Sequence, residues 1–175
     1  MGLLERAKEG DRVAFEDLFR AHAADGFRLA VAMLRRREDA EDAVQNAMLK
    51  AWRKLAGFRT GCDVRPWFLT IVANECRSLR RGRWWSVVRV ADVHTDGESW
   101  RDAIPLQLDL RRVLARLPAD QRLLLVLRYY LDLPFADVAA VVGGSPEAAK
   151  SRTFRVLRKL RLSEELGDAV AEAQA

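Results

Sequence analysis

The sequence has few of the residues that cross-link a chain, bind metals or break helices. Its 175 residues include only two cysteines, two histidines, ten glycines and five prolines. Cys62, Cys76, His22 and His94 do not follow the spacings of common zinc sites, so we expect no metal. A reducing compartment argues against a disulfide between the two cysteines. Because no long apolar run follows the first residues, we expect no signal peptide, no membrane insertion and a cytoplasmic location.

The motifs of common enzyme sites are also missing. The Gly143-Gly144 pair belongs to no phosphate-cradling loop and to no GxGxxG pattern, and no nucleophile is paired with a base. We therefore predict a protein that is not an enzyme and needs no cofactor. A metal-dependent helical hydrolase is a remote alternative, since the sequence offers no cluster of histidines and carboxylates.

What the sequence does contain is a helical pattern along most of its length. Half of the residues are apolar and 31% are charged, with a net charge of +5, which is typical of a folded, soluble chain. Apolar residues recur at steps of three and four, and no alternating strand pattern is present. The pattern fails between residues 82 and 105. We predict an all-α fold of two small helical domains, with a first domain over 1–81, a flexible linker over 82–105, a second domain over 106–167 and a tail over 168–175.

Residues 135–161 have the pattern of a helix-turn-helix. A short apolar helix over 135–142 meets Gly143-Gly144, and Ser145-Pro146-Glu147 follows. Glycine adopts the positive φ that ends a helix, serine caps the next one, proline suits its first position and glutamate favours its positive end. The sequence therefore predicts two helices joined by a glycine-containing turn.

The second of these helices is predicted to have one apolar and one cationic side. The apolar side comprises Ala149, Thr153, Val156, Leu157 and Leu160. Residues 150–161 hold six basic and no acidic residues, an imbalance that favours a polyanionic partner, and such a helix fits the DNA major groove. A merely solvated basic face is the alternative. Phe154 can contact thymine methyl groups or pack within the protein.

A second candidate surface lies on the helix predicted over 39–55. Its predicted core face is Val44, Met48, Ala51 and Leu55. Its outer stripe comprises Asp42, Asn46, Leu49 and Arg53, with Gln45 beside it. An apolar residue with a polar rim is typical of a protein contact, although a single exposed leucine is also common on ordinary surfaces.

A third candidate surface lies on the helix predicted to begin near Asp63, with Pro66 in its first turn. Its predicted core face is Phe68, Ile71, Val72 and Leu79, and its opposite stripe is Trp67, Thr70, Asn74, Arg77 and Arg81. An aromatic ring, an amide and guanidinium groups together suit single-stranded nucleic acid. The alternative is that Trp67 belongs to the core and the arginines are only solvated.

Taken together, these segments resemble the small bacterial sigma factors of the extracytoplasmic-function (ECF, group IV) class of the sigma-70 family, which keep only sigma regions two and four. DAEDAVQNAMLKAW resembles the acidic helix that binds the coiled coil of the polymerase β′ subunit. WFLTIVANECRSLRR resembles the helix that melts the promoter and reads the minus-ten element. LPADQRLLLVLRYYLDLPFADVAAVVGGSPEAAKSRTFRVLRKLR resembles the minus-thirty-five reader.

The resemblance implies three groups of contact residues. Contacts with core polymerase are expected at Asp39, Asp42, Gln45 and Asn46, to which the exposed pattern adds Leu49. Minus-ten contacts are expected on the loop from Phe58 to Asp63 and at Asn74, with Trp67, Thr70, Arg77 and Arg81 from the same stripe. Minus-thirty-five contacts are expected at Arg128, Lys150, Ser151, Arg152, Phe154 and Arg155.

The implied function is that of a specificity subunit, which makes core RNA polymerase initiate at one promoter class. The implied partners are the polymerase β′ and β subunits, promoter DNA that is double-stranded upstream and single-stranded at the minus-ten element, and a separate anti-sigma factor. The implied location is the cytoplasm, on the nucleoid. Two alternatives stay open. One is a stand-alone helix-turn-helix regulator that binds a palindromic operator as a dimer, and the other is a helical protein-interaction module or anti-sigma-type regulator without sequence-specific DNA binding.

Four positions depart from the family pattern. Asn46 replaces a common acid, Met48 replaces an aromatic residue, Ser78 replaces an aspartate and Pro134 replaces a helix-capping serine. We expect Asn46 to weaken the polymerase contact slightly, and Ser78 to change only local packing or capping.

Overall fold

The computed structural model describes the backbone of residues 2–87 and 114–173, and the side chains of residues 2–82 and 114–161. Every regular element in these ranges is a helix, which confirms the predicted all-α class. The chain divides into two compact units, Met1–Leu106 and Gln107–Ala175. Most of the predicted linker, and the start of the predicted second domain, lie outside the described residues, and the domain boundaries stay predictions.

The first unit is a bundle of three long helices with a short helix beside it. Its elements are α1 (Leu3–Lys8), α2 (Arg12–Leu34), α3 (Arg37–Lys54), a 3₁₀ turn (Leu55–Gly57) and α4 (Val64–Val87). Helices α2, α3 and α4 pack against one another, and α1 packs on α2. Because α4 extends to Val87, residues 82–87 are helical although the linker was expected to begin at 82. A single glycine at position 82 lowers helix propensity without ending the helix.

The core of this bundle combines large side chains on α2 and α4 with small ones on α3. Phe19, Leu29, Phe68, Leu69 and Val72 are fully buried. The buried face of α3 consists of alanines: Ala40, Ala43, Ala47 and Ala51. Small side chains let helix backbones approach closely, and α3 therefore turns this face to its neighbours.

The predicted core faces are right for α4 and partly wrong for α3. Phe68, Ile71 and Val72 are buried and Leu79 is half-buried. On α3, Val44 and Met48 are only half-buried, whereas Ala51 is buried, as is Leu55 at the start of the following 3₁₀ turn. Helical periodicity in the sequence favours the larger apolar residues, whereas close helix packing favours the alanine run.

The second unit contains the predicted helix-turn-helix. Residues 114–116 are helical, α5 (Ala119–Leu125) continues as a π-helical segment (Val126–Tyr130), and α6 (Phe135–Val142) and α7 (Pro146–Ala173) follow. The turn has the expected chemistry, since φ is 82° at Gly143 and 104° at Gly144, and Ser145 Oγ accepts a 3.2 Å hydrogen bond from the Ala148 amide. Helix α7 runs to Ala173, so residues 168–173, expected to be a tail, are helical.

The apolar face predicted for α7 is confirmed. Ala149, Thr153 and Val156 are buried, and Leu157 and Leu160 are half-buried. The one hydroxyl on this face is satisfied within the helix, because Thr153 Oγ1 donates a 2.8 Å hydrogen bond to the Ala149 carbonyl. The opposite face of α7 is therefore left for solvent or a partner.

Two further findings concern the described ranges alone. No helix within residues 2–87 and 114–173 is long and apolar enough to cross a membrane. Among the described side chains, no group of three or more His, Cys, Asp or Glu residues is arranged to hold a metal ion. Cys76 is buried on α4, and Cys62 is exposed.

Candidate polymerase and nucleic-acid interfaces

The outer stripe of α3 is exposed as predicted. Asp42, Gln45, Asn46 and Arg53 are all exposed, and they surround Leu49, whose exposed fraction is 53%. Asp39 lies in the first turn of α3 and is only partly exposed. The stripe is thus an apolar side chain within a rim of acids, amides and one arginine, a composition typical of the centre of a protein contact.

An ion pair fixes α3 against α4. Lys50 Nζ lies 2.6 Å from Glu75 Oε1, and the Glu75 side chain is largely buried. The pair lies between the outer stripe of α3 and the outer face of α4. Because a buried carboxylate is costly without a partner, this contact helps to keep the two helices in register.

The loop over residues 58–63 is held on its inner side by aromatic packing. Phe58 is buried, and its ring centroid lies 4.9 Å from that of Trp67. Trp67 is half-buried and also faces Phe19, at 6.4 Å between ring centroids. Phe58 and much of Trp67 thus belong to the packing of the bundle. For Trp67 this agrees largely with the alternative that it is a core residue.

The outer part of this 58–63 loop is a tight turn. Gly61 has a φ of 92°, and the Cys62 amide donates a 3.3 Å hydrogen bond to the Arg59 carbonyl. Asp63 is exposed, and its Oδ1 accepts a 2.9 Å hydrogen bond from the Arg65 amide at the start of α4. Asp63 therefore caps α4, which begins next to this residue as the sequence predicts.

A contact that the sequence analysis missed reaches this loop from α1. Lys8 Nζ donates a 2.8 Å hydrogen bond to the Phe58 carbonyl and a 3.2 Å hydrogen bond to Thr60 Oγ1. Lys8 and Phe58 are 50 residues apart in sequence, and nothing in the local pattern of α1 indicates the contact. The packing of α1 on α2 and on the 3₁₀ turn before Phe58 brings them together.

A charged cluster lies beside the loop at the junction of α2 and α4. Asp25 accepts hydrogen bonds from Arg65 Nε at 2.8 Å and Arg28 Nη1 at 3.1 Å. Burial lowers the pKa of the nearby His22, while the charges of Asp63 and Asp25 act in the opposite direction. This cluster anchors the first turn of α4, and no local pattern in the sequence indicates it.

The stripe predicted on α4 forms a polar surface beyond Trp67. Asn74 and Arg81 are exposed, and Thr70 and Arg77 are half-buried. Arg77 Nη1 donates a 3.1 Å hydrogen bond to Asn74 Oδ1, and Thr70 Oγ1 donates a 2.8 Å hydrogen bond to the Pro66 carbonyl. Arg77 therefore orients the Asn74 amide at the middle of the stripe.

The exposed face of α7 is strongly cationic. Lys150, Ser151, Phe154 and Arg155 are exposed, and so are Arg158, Lys159 and Arg161 farther along the helix. Phe154 is 51% exposed, its ring lies 6.3 Å from that of Phe135, and Lys150 Nζ lies 6.0 Å from its centroid. Phe154 thus packs on one side and is accessible on the other.

Two of the predicted minus-thirty-five residues are held by the protein itself. Arg152 donates from Nη2 to the Gly143 carbonyl and from Nε to the Ala148 carbonyl, the latter at 3.4 Å. Arg128 Nη1 lies 3.1 Å from Asp132 Oδ1 and 3.3 Å from the Leu133 carbonyl oxygen. Both guanidinium groups therefore brace turns of the second unit, an arrangement that helical periodicity does not reveal.

The second unit, with its glycine turn and cationic second helix, defines the chain as a helix-turn-helix protein of the DNA-binding class. Family models identify it further: residues 18–86 match Sigma-70 region 2, and residues 107–160 match Sigma-70, region 4. Together these two matches cover most of the chain.

Individual relatives agree with the family models. The chain is 36% identical to the ECF RNA polymerase sigma factor SigM of Mycobacterium tuberculosis, over 90% of this chain and 81% of that protein. It is 33% identical to the RNA polymerase sigma factor CarQ of Myxococcus xanthus, over 90% of this chain and 93% of that protein. Among solved structures, it is similar to the sigma factor RpoE in complex with the anti-sigma factor NepR from Bartonella quintana, with a TM-score of 0.68. The two chains are 28% identical, and the match covers 84% of this chain and 94% of that one.

The chain belongs to the sigma-70 family and, within it, to the ECF sigma factors. It is therefore a non-enzymatic initiation factor, which binds core RNA polymerase and promoter DNA and directs promoter-specific transcription initiation. This confirms the predicted function over both alternatives, the stand-alone regulator and the interaction module.

Proposed function

We propose that the exposed stripe of α3 is the surface by which the first unit binds core polymerase. The observation that carries this proposal is the exposure of Leu49, 53%, within the polar rim of Asp42, Gln45 and Asn46. Exposed apolar side chains with a polar rim are typical anchors of protein interfaces. Asp39 is partly exposed and lies at the edge of this surface, where it adds negative charge.

The minus-ten element is the proposed ligand of α4 and the 58–63 loop. Asn74 is exposed and oriented by Arg77, an arrangement suited to recognising the edge of an unstacked base. Arg81 is suited to a phosphate contact, and Asp63 lies exposed at the end of the loop. Unstacking a base costs a few kcal/mol, and contacts of the base with the 58–63 loop and Asn74 would offset this cost. Phe58, Trp67 and Thr70 support this surface from within.

The exposed face of α7 is the proposed minus-thirty-five reader. Lys150, Ser151 and Arg155 lie at the exposed, N-terminal part of the helix, and Phe154 offers an accessible ring edge for thymine methyl groups. Because Arg152 and Arg128 donate to backbone carbonyls, we assign them the positioning of the turns that flank the reader. On this proposal region two spans 1–81, the linker 82–105, region four 106–167 and the tail 168–175, while the backbone of α4 continues to Val87 and that of α7 to Ala173.

The decisive experiment is transcription in vitro with purified core RNA polymerase, with and without the protein, on a pool of promoter fragments. We expect new transcripts to begin a fixed distance downstream of a shared two-part motif. The variant Asp42→Arg should lose core binding, because it places a cation in the acidic rim. The matched control Glu16→Arg makes the same charge change at an exposed position on α2 and should bind core normally.

The variants also separate the three surfaces. Asn74→Ala should change the preferred minus-ten bases and leave core affinity intact, whereas Arg155→Ala should change the minus-thirty-five preference alone. Normal core binding by Asp42→Arg would remove α3 from the interface. Unchanged base preferences in both other variants would refute the assigned DNA contacts.

We also propose that a separate anti-sigma factor holds this sigma factor inactive. The support is the solved structure of its relative RpoE, which is a complex with the anti-sigma factor NepR. A partner purified with the protein from its own cells, and identified by mass spectrometry, should inhibit transcription when its purified form is added to the assay above. Full transcription at saturating partner would contradict this proposal.

The proposed site of action is the nucleoid in the cytoplasm, where core polymerase and promoter DNA are both present. The absence of a membrane-spanning helix among the described residues is compatible with this location. A fluorescent fusion should overlap with stained DNA, and the Asp42→Arg variant should lose part of this overlap because it no longer joins polymerase.

A further inference from the structure

Helix α1 contacts the 58–63 loop through one side chain. Lys8 Nζ donates to the Phe58 carbonyl at 2.8 Å and to Thr60 Oγ1 at 3.2 Å. One acceptor is backbone and the other is a side chain two residues later, so the single ammonium group links the buried first residue of the loop to its exposed part. Lys8 itself is half-buried.

The position of Lys8 is set by the geometry of α1. Ala7, its neighbour, is buried against the bundle. Arg6 forms an ion pair with Asp11, and Asp11 also caps α2 by accepting a 3.1 Å hydrogen bond from the Ala14 amide. These contacts tie the short helix to the start of α2, so the Lys8 side chain extends from a fixed base.

The outer part of the loop has few other anchors. The Phe58 ring is held inside by Trp67, and Asp63 is held at the first turn of α4. Between them, residues 59–62 are exposed, and one backbone hydrogen bond, from the Cys62 amide to the Arg59 carbonyl, closes the turn. Lys8 supplies the contact that links this exposed turn to the rest of the bundle.

We propose that Lys8 is a positioning residue for promoter reading, which holds the 58–63 loop in the conformation that receives the unstacked minus-ten base. The inference rests on the proposed function of that loop. Ordering a loop on binding costs free energy, and a loop that is ordered in advance avoids this cost and discriminates better between bases. Helix α1 lies before residues 18–86, which match the region 2 family model, so Lys8 itself lies outside the matched segment, whereas the loop it contacts lies within it.

The test compares Lys8→Met with Lys8→Arg in holoenzyme assembled with core polymerase. The readout is the affinity for a labelled single-stranded minus-ten oligonucleotide, measured for the preferred sequence and for versions with one base replaced. For Lys8→Met we expect the affinity for the preferred sequence, divided by that for a sequence with one base replaced, to fall on the order of tenfold. A good base contact normally contributes discrimination of this order. Lys8→Arg keeps a charged donor within reach of both acceptors. Its ratio of affinities should therefore remain within about twofold of the wild-type ratio.

Two further variants control the experiment. Lys54→Met removes an exposed lysine from the end of α3 and should change neither discrimination nor core affinity. Thr60→Val removes only the 3.2 Å contact and should give a smaller loss than Lys8→Met. Thr60→Val therefore tests the inference even if Lys8→Met fails to fold, which its thermal unfolding curve would reveal.

Two results would overturn the inference. One is wild-type discrimination in both Lys8→Met and Thr60→Val. The other is a uniform loss of affinity for every oligonucleotide by Lys8→Met, with the salt dependence reduced by about one charge, because that result identifies a direct phosphate contact. Asn74→Ala is measured in parallel: if it too leaves discrimination unchanged, the proposed minus-ten surface fails, whereas a change in Asn74→Ala alone refutes only the role of Lys8.

Discussion

Arg152 and Arg155 lie one turn apart on α7, but the structure predicts that replacing them by alanine lowers the stability of the second unit by different amounts. Arg152 donates to the Gly143 and Ala148 carbonyls across the turn, whereas Arg155 is exposed on the cationic face. A hydrogen bond from a charged donor contributes about 1.5–3 kcal/mol when buried, and partial exposure reduces this value to about 1 kcal/mol. Arg152→Ala should therefore destabilise the second unit by about 1 kcal/mol, and Arg155→Ala by less than about 0.5 kcal/mol.

Thermal unfolding and hydrogen exchange together measure this difference. A loss of 1 kcal/mol corresponds to a fall of about 4–8 °C in Tm for a unit of this size, and to roughly fivefold faster exchange of amides that open with it. The amides of residues 143–149 should show this change in Arg152→Ala. If Arg152→Ala unfolds like the wild type but loses preference at one minus-thirty-five base pair, Arg152 reads DNA and the positioning role is refuted.

Three shorter predictions concern the first unit. Burial raises the pKa of the Cys76 thiol to about 12, so at pH 8 this group stays protonated and iodoacetamide should modify only the exposed Cys62, as peptide mass spectrometry would show. In Gly26→Ala the new Cβ would lie 3.0 Å from Phe68 Cε1. The cost of overpacking, about 2 kcal/mol, should exceed the gain of about 1 kcal/mol in helix propensity. Urea unfolding should therefore show a net loss of stability. Lys50→Met removes the ion pair with Glu75 and should cost about 1 kcal/mol by the same assay, while equal stability would show that Glu75 is satisfied without it.

The features predicted well from the sequence are those that depend on neighbouring residues. The turn between α6 and α7 is one example, because Gly143, Ser145 and Pro146 each suit one backbone position and leave few alternatives. The apolar face of α7 and the exposed stripe of α3 are others, since the helical repeat alone fixes which side chains share a side.

The features missed depend on distance in space or on side-chain length. The Lys8 contact with Phe58 joins residues 50 apart, so only the packing of the bundle creates it. Arg152 reaches the Gly143 carbonyl, nine residues earlier, because its long side chain turns back over the helix start. The core face of α3 was misplaced because close packing selects Ala43 and Ala47 over the larger Val44.

The alanine face of α3 leads to a last prediction, that folding and polymerase binding can be changed separately on this helix. Leu49 is 53% exposed on the side opposite the alanines, so Leu49→Ala should change stability by less than about 0.5 kcal/mol. As the apolar centre of a polar rim it should nevertheless weaken core binding by more than about 1 kcal/mol, or roughly fivefold in Kd. Val13→Ala, which truncates a side chain 63% exposed on α2, is the matched control and should bind core normally in a fluorescence titration. Equal Kd values for both variants would show that Leu49 is an ordinary surface residue, and the polymerase contact would then depend on the charged and amide side chains around it.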